Sequence, residues 1–271
     1  MRRWMSLSLM ILVITSAAFA QDARLKRLDT SEAGRAWDAV GRLDLDGTGF
    51  CTGSLIAPDL VLTAAHCLYD KRTGARIDHE GIEFRAGWRN GRAAAYRSIR
   101  RAVTHPDYVY SERVSATRVR NDLALLELDR PIRLPQVQPF GTATRPRTGD
   151  RVGVVSYAKG RSEAPSLQEV CRVLSRQDGV LVTSCNVDFG ASGAPIFTFA
   201  SGEASIVSVV SAKAELEGEV ISIGTALGEP LAELQAQLLA GAGVQQAPAP
   251  GQNRVRVGAA RRETGAKFVK P

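Results

Sequence analysis

The chain is poor in the side chains that most metal and redox chemistry needs. Its 271 residues include four cysteines and three histidines, and the imidazoles are His66, His79 and His105 alone. No Cys-x-x-Cys pair occurs, so a zinc site is not expected and no cofactor is implied. Long apolar runs are scarce as well. The stretch from Leu7 to Ile14 is too short to stay in a bilayer as an anchor. It follows Arg2 and Arg3 and precedes the small-x-small sequence Ala18-Phe-Ala20, so residues 1–20 read as a signal peptide cleaved near Ala20. A secreted or periplasmic protein without a stable membrane anchor is the expectation.

A charge excess is also lacking, once the charges are located. The formal +7 divides into Arg2 and Arg3 at the start and six bases against Glu263 in residues 241–271, which leaves residues 21–240 neutral. A neutral body gives no footprint for nucleic acid, and no such partner is expected. Residues 242–271, rich in Ala, Pro and Gln and then basic, read as a disordered tail whose candidate contact is an anionic surface.

What is present begins with Cys51-Thr-Gly-Ser-Leu-Ile-Ala-Pro-Asp-Leu-Val-Leu-Thr-Ala-Ala-His66-Cys67. Thr52 to Ile56 and Leu60 to Thr63 read as short strands around the turn former Pro58-Asp59, with His66 at the turn that follows. In an oxidising compartment an even number of cysteines favours disulfides. Four cysteines permit three pairings. The local one, Cys51 with Cys67 and Cys171 with Cys185, is preferred, each closed loop stabilising by about 3 kcal/mol.

Along the chain, residues 21–35 are polar and without period, a leader or propeptide-like arm, with self-cleavage after Arg24 or Arg27 as one reading. Alternation or β-rich composition then predicts strands at 38–46, 83–88, 93–104 and 123–128, and a second series at 152–158, 169–174, 180–184, 194–199, 205–212 and 220–227. The weakly patterned linker after Pro131 and Pro135 separates an N-terminal unit, 36–140, from a C-terminal unit, 141–228. Residues 229–241 form the one expected helix, opened by Pro230, striped by Leu231, Leu234 and Leu238, and closed by Gly241. Many short strands spaced by turns indicate an all-β architecture of barrels or sandwiches.

Three residues carry the chemistry. Amide hydrolysis through serine needs a base for the hydroxyl proton, a carboxylate to fix the tautomer of that base, and amide donors for the oxyanion. Ser192 offers the hydroxyl, His66 the base and Asp122 the carboxylate, and Gly190 lets the backbone turn so that its N–H and that of Ser192 converge. Asp122 stands at the mouth of the apolar strand Leu123-Ala-Leu-Leu-Glu-Leu128, where solvent access falls. His79 and His105 read as surface or loop residues.

Thr63-Ala-Ala-His66-Cys67, Asn121-Asp-Leu-Ala-Leu-Leu126 and Gly190-Ala-Ser192-Gly-Ala-Pro195 together resemble the histidine, aspartate and serine motifs of the trypsin/chymotrypsin family of serine proteases. The likeness runs from about residue 36 to 228. It implies two six-stranded Greek-key β-barrels with the site between them and a closing helix, and a serine endopeptidase acting on protein or peptide substrates through His66, Asp122 and Ser192. Gly190 and Ser192 would form the oxyanion hole. The departures are as informative. Ala191 lacks the carboxylate that trypsin-like zymogens pair with a new N-terminal amine, and no Ile-Val-Gly-Gly sequence occurs near residue 21. Activation by that ion pair is excluded, and the Cys171–Cys185 bridge is a candidate brace for the loop instead. In this the chain is similar to bacterial secreted relatives of the glutamyl-endopeptidase type. Six residues before the serine stands Asn186 where trypsin has an aspartate, so selectivity for Arg or Lys is expected to be weak or absent. Asn186 and Ser208 are the candidate specificity positions. Ser208, or Ser211 if the preceding turn is longer, would support the aspartate. The alternative to an enzyme is a catalytically silent, protease-like binding module.

Overall fold

The computed structural model describes residues 25–144 and 146–243; the expected signal peptide and basic tail lie outside them. Where composition suggested a loose leader, the chain is docked. Strand β1 (Lys26–Arg27) pairs antiparallel with Leu167 and Ser166, Leu28 is fully buried, and Thr30 caps a single turn, α1 (Ser31–Gly34), by accepting from the Ala33 N–H. The reason lies in the backbone. Arg89 donates to the carbonyls of Leu28 and Gly34, and Asn90 Nδ2 to that of Asp29, so the polar groups of this segment find protein partners.

Six strands then close the first barrel: β2 (Val40–Leu45), β3 (Phe50–Ala57), β4 (Leu60–Thr63), β5 (Ile82–Ala86), β6 (Ala95–Thr104) and, after the short helix α2 (Ala116–Arg120), β7 (Ala124–Leu128). Their order around the barrel is β2-β3-β4-β7-β6-β5. The two-residue period is explicit in β5, where Ile82, Phe84 and Ala86 are buried and Glu83 and Arg85 are not. In β7 consecutive residues Ala124, Leu125 and Leu126 are all fully buried, which explains its unbroken apolar run. Helix α2 interrupts a segment read as loop; Ser115 caps it by accepting from the Arg118 N–H.

The second barrel follows β8 (Gly141–Thr142), an outlying strand paired with Ser205 and Ile206. It comprises β9 (Arg151–Ala158), β10 (Arg161–Gln177), β11 (Val180–Thr183), β12 (Pro195–Thr198), β13 (Ser205–Leu216) and β14 (Glu219–Ala226). The path β10-β11-β14-β13-β12-β9 is closed by the β9–β10 pairing, giving six strands in a ring with β1 and β8 attached outside. Strand β10 is 17 residues long, much longer than the expected 169–174. Its register against β9 shifts between Arg161 and Ser166 and again between Gln168 and Cys171. These breaks spoil the alternation that sequence reading depends on.

Trp37, Phe140 and Phe197 join the two barrels; the Phe197 ring lies 5.0 Å from Trp37 and 4.7 Å from Phe140. The last helix among the described residues is α3 (Glu229–Leu239), which buries Leu231, Leu234 and Leu238. Its carbonyl at Leu238 accepts from Arg101 of the first barrel. The last helix thus ties the second unit back to the first.

Candidate active site

Strand β4 delivers Thr63, Ala64 and then a tight turn, Ala65–Leu68, on which His66 sits. Cys67 in that turn is bonded to Cys51 in β3, so the backbone on both sides of the imidazole is tethered. Asp122 reaches the same place from the end of α2, one residue before the buried run of β7 begins. Its carboxylate is fully buried. It accepts from the His66 backbone N–H at 2.8 Å, from His66 Nδ1 at 2.7 Å, and from the Ser211 hydroxyl. Burial alone would raise its pKa, but the charge and hydrogen bonds of His66, with the hydrogen bond of Ser211, hold the carboxyl below its usual range. An ionised carboxylate only accepts, so the proton between the two side chains rests on Nδ1. In the neutral ring the lone pair is then on Nε2.

Ser192 lies in the loop between β11 and β12. Ser192 and His66 line one cavity of about 520 Å³. The loop is shaped by two glycines with left-handed φ, Gly190 at +96° and Gly193 at +77°. A methyl group on Gly193 would lie 2.1 Å from Thr63 Oγ1 and 2.3 Å from the Thr52 carbonyl, so only glycine fits. The N–H groups of Ala191, Gly193 and Ala194 are taken by the carbonyls of Asp188, Val210 and Ala191. Those of Gly190 and Ser192 have no acceptor among the described residues. Within Gly190–Ala194 they are the two donors left for a ligand.

Thr52 holds this loop from the other barrel. Its N–H donates to the Ser192 carbonyl at 2.8 Å, and its hydroxyl donates to the Gly190 carbonyl at 2.9 Å while accepting from the Tyr157 N–H at 3.1 Å. Sequence reading gave Thr52 no role beyond that of a strand former. The Cys171–Cys185 bridge is formed and belongs to one buried cluster with Val152, Val173 and Leu181 of the barrel and Val187, Ala191 and Ala194 of the serine loop.

Other expected positions fall elsewhere. Ser208 is fully buried and donates to the Thr225 carbonyl; Ser211 is the serine that reaches Asp122. The Asn186 N–H donates to Gln168 Oε1, and neither Asn186 nor Ser208 is among the residues lining the cavity with Ser192, whereas Asp188, Phe189 and Lys213 are. His79 and His105 are buried rather than superficial: a ring nitrogen of His79 lies 3.1 Å from the Arg100 carbonyl, and His105 Nε2 lies 3.2 Å from Glu233 of α3. Cys51, His66 and Cys67 bring ligand atoms close together, but the two sulfurs are bonded to each other and supply no thiolate to a metal.

A family model described as a trypsin-like peptidase domain matches residues 47–206. Human kallikrein-15 is 32% identical over 173 residues, covering 61% of this chain and 62% of the kallikrein. Trypsin of Phaedon cochleariae is 38% identical over 88 residues, covering 32% of this chain and 30% of that trypsin. The chain thus spans less than two thirds of either relative. Among solved structures, a Glu endopeptidase in complex with MPD superposes with a TM-score of 0.63 at 18% identity, over 81% of this chain and 98% of that one. At that identity the likeness bears on the fold.

Proposed function

The chain belongs to the trypsin-like peptidase domain family, and from that premise we propose that it is a serine endopeptidase that works after export, with His66, Asp122 and Ser192 as its triad. The observation that carries the reading is the buried Asp122 carboxylate on His66 Nδ1, with Ser192 lining the same cavity as the imidazole. Ser192 Oγ attacks the scissile carbonyl as His66 Nε2 takes its proton. The carbonyl oxygen becomes an oxyanion and accepts from the N–H groups of Gly190 and Ser192, neither of which has another acceptor among the described residues. Collapse of this intermediate breaks the C–N bond, with His66 returning the proton to the leaving amine. A water, deprotonated in turn by His66, then attacks the acyl-serine ester, and the acid product leaves with Ser192 restored. Asp122 remains ionised throughout, holding the ring in one tautomer and stabilising it when positively charged.

Export is consistent with the two disulfides. No helix among the described residues is long and apolar enough to cross a membrane. The working unit in this reading comprises the barrels of 36–140 and 141–228 with the helix of 229–241.

A fluorophosphonate probe tests the reading directly, because it forms a stable ester with an activated serine. The wild type is expected to be labelled on Ser192 and to hydrolyse peptides, and Ser192→Ala to do neither. Equal labelling of both proteins, or none of the wild type, would overturn the assignment in favour of a silent binding module.

A further inference from the structure

The direction of the Gly190 N–H depends on the peptide that carries it. The carbonyl of that peptide, of Phe189, accepts from the Lys159 N–H at 2.7 Å. In a planar trans peptide the N–H points opposite the C=O, so this bond aims the donor away from Lys159. One hydrogen bond fixes a direction but lets the Gly190 Cα swing about it. The space beside that Cα is filled by Phe50, at the start of β3 in the first barrel: a methyl group on Gly190 would lie 2.4 Å from Phe50 Cε2 and 2.7 Å from its Cζ.

Phe50 is itself held. The Arg42 guanidinium lies 4.7 Å from its ring centroid and 5.8 Å from that of Trp88. Asp44 Oδ1 accepts from Arg42 Nη2 at 2.9 Å, and Asp44 Oδ2 pairs with Arg85 Nη1 at 2.9 Å. Arg85 in turn sits 4.9 Å from the Trp88 centroid. Arg42 Nη1 also reaches Glu163 Oε1, in β10 of the second barrel, at 3.5 Å. A guanidinium drawn out of water is attracted to an aromatic face more strongly than an exposed one, and the Arg42 side chain is only 16% exposed. The series Arg85, Trp88, Arg42 and Phe50 thus ends on the backbone of Gly190.

We propose that Phe50 is a positioning residue for the oxyanion donor: its ring, pinned by Arg42, stops the Gly190 Cα from swinging and so keeps the Gly190 N–H aimed at the developing charge. The proposal rests on the peptidase reading above and adds to that site a residue acting through Gly190. Phe50 also lines a cavity of about 580 Å³ that His66 shares, so direct contact with substrate is the rival role. The two roles move different constants. A donor aimed at an oxyanion acts on the transition state and changes kcat, whereas a contact made equally with bound substrate changes KM.

The test compares Phe50→Leu with Phe50→Tyr, and Arg42→Met with Arg42→Lys. Each is assayed on one peptide substrate and against a peptide trifluoromethyl ketone, whose carbonyl adds Ser192 Oγ to give a hemiketal oxyanion. Phe50→Leu is expected to lower kcat roughly tenfold with KM unchanged, a part of the roughly hundredfold that loss of a whole donor costs, and to weaken the ketone by the same factor. Arg42→Met leaves Asp44 paired with Arg85 and should shift the same two constants by about threefold. Phe50→Tyr keeps the ring and Arg42→Lys the cation, and each should restore them. A raised KM with kcat unchanged would make Phe50 a substrate contact, and a lowered melting temperature with both constants intact would make it a packing residue. Either result overturns the proposal while leaving the peptidase reading in place. Should the wild type hydrolyse nothing, the peptidase reading fails first, and the Gly190 amide resonance in protein made with isotope-labelled glycine decides the rest. Arg42→Met is expected to move that resonance although the Phe50 ring is still present, and an unmoved resonance sinks the pinning.

Discussion

The two barrels supply their parts of the site by different means. His66 and Asp122 are fixed mostly from within the first barrel: a disulfide tethers the histidine turn, and two of the three bonds to the Asp122 carboxylate come from His66 itself. The serine loop of the second barrel depends instead on its neighbour. Thr52 bonds the carbonyls of both Ser192 and Gly190, and Gly193 lies against Thr52 and Thr63. Ala191, fully buried, has no carboxylate with which to anchor the loop to an amine. The loop is therefore shaped at the seam between barrels, and its geometry is present as soon as the barrels are docked. Under the proposed function, that docking would form the oxyanion donors without a cleaved N-terminus.

The largest break in that seam is Gly193→Ala. The new methyl would sit at a left-handed φ and inside contact distance of a backbone oxygen that cannot swing away, so a loss of at least about 3 kcal/mol is expected. Gly202→Ala is the control: it also has positive φ, at +85°, but nothing lies within 4 Å of the added atom, and the cost should stay near about 1 kcal/mol. Thermal denaturation of the two variants measures the difference, and similar losses would show that the approach of the barrels at Gly193 is looser than described.

Thr52→Val comes next in size. It keeps the shape of the side chain and the backbone bond to Ser192, but leaves the Gly190 carbonyl and the Tyr157 N–H without the hydroxyl that served both. Each orphaned buried group costs about 1–3 kcal/mol. If Thr52 positions the oxyanion donors, kcat should fall by roughly ten- to a hundredfold with KM little changed, and Thr52→Ser should restore it. A fall in melting temperature with kcat unaltered would make Thr52 a structural residue only.

Much of the first barrel could be read from the sequence because its signals are local. The Thr63-Ala-Ala-His66-Cys67 turn, the alternation of β5 and the apolar run of β7 each announce themselves within a few residues. The seam could not be read, because the partners of Thr52 are remote: Gly190 lies 138 positions away in the chain. The choice between Ser208 and Ser211 shows the same limit in another form. The register of β13 on β14 shifts between Val210 and Ala212, so Ser211 is the extra residue of a bulge. A bulge re-aims one side chain and resets the alternation after it. It places Ser211 on Asp122 and leaves Ser208 buried against Thr225, an outcome decided by pairing with β14 rather than by the local pattern. The long bent β10 escaped for the same reason.

The smallest expected effect contrasts two buried carboxylates, Asp122 in the site and Asp38 at the docked leader. The folded pKa of Asp122 is below its ordinary value of 3.8, so ionised Asp122 stabilises the fold above that value. The contribution is lost as pH falls from about 3.8 through the folded pKa. Asp38 has the opposite sign: burial raises its pKa above 3.8 despite the Arg89 guanidinium at 2.6 Å, so the fold gains from its protonation as pH falls through that raised value. Between pH 5 and pH 2, the decline in melting temperature should accordingly be shallower in Asp122→Asn than in the wild type and steeper in Asp38→Asn. The slopes matter here rather than the starting temperatures, since either substitution also lowers stability at neutral pH by disturbing buried hydrogen bonds. Parallel acid limbs for all three proteins would mean that neither carboxylate is perturbed by folding, and that the His66–Asp122 contact has no more hold on its proton than water does.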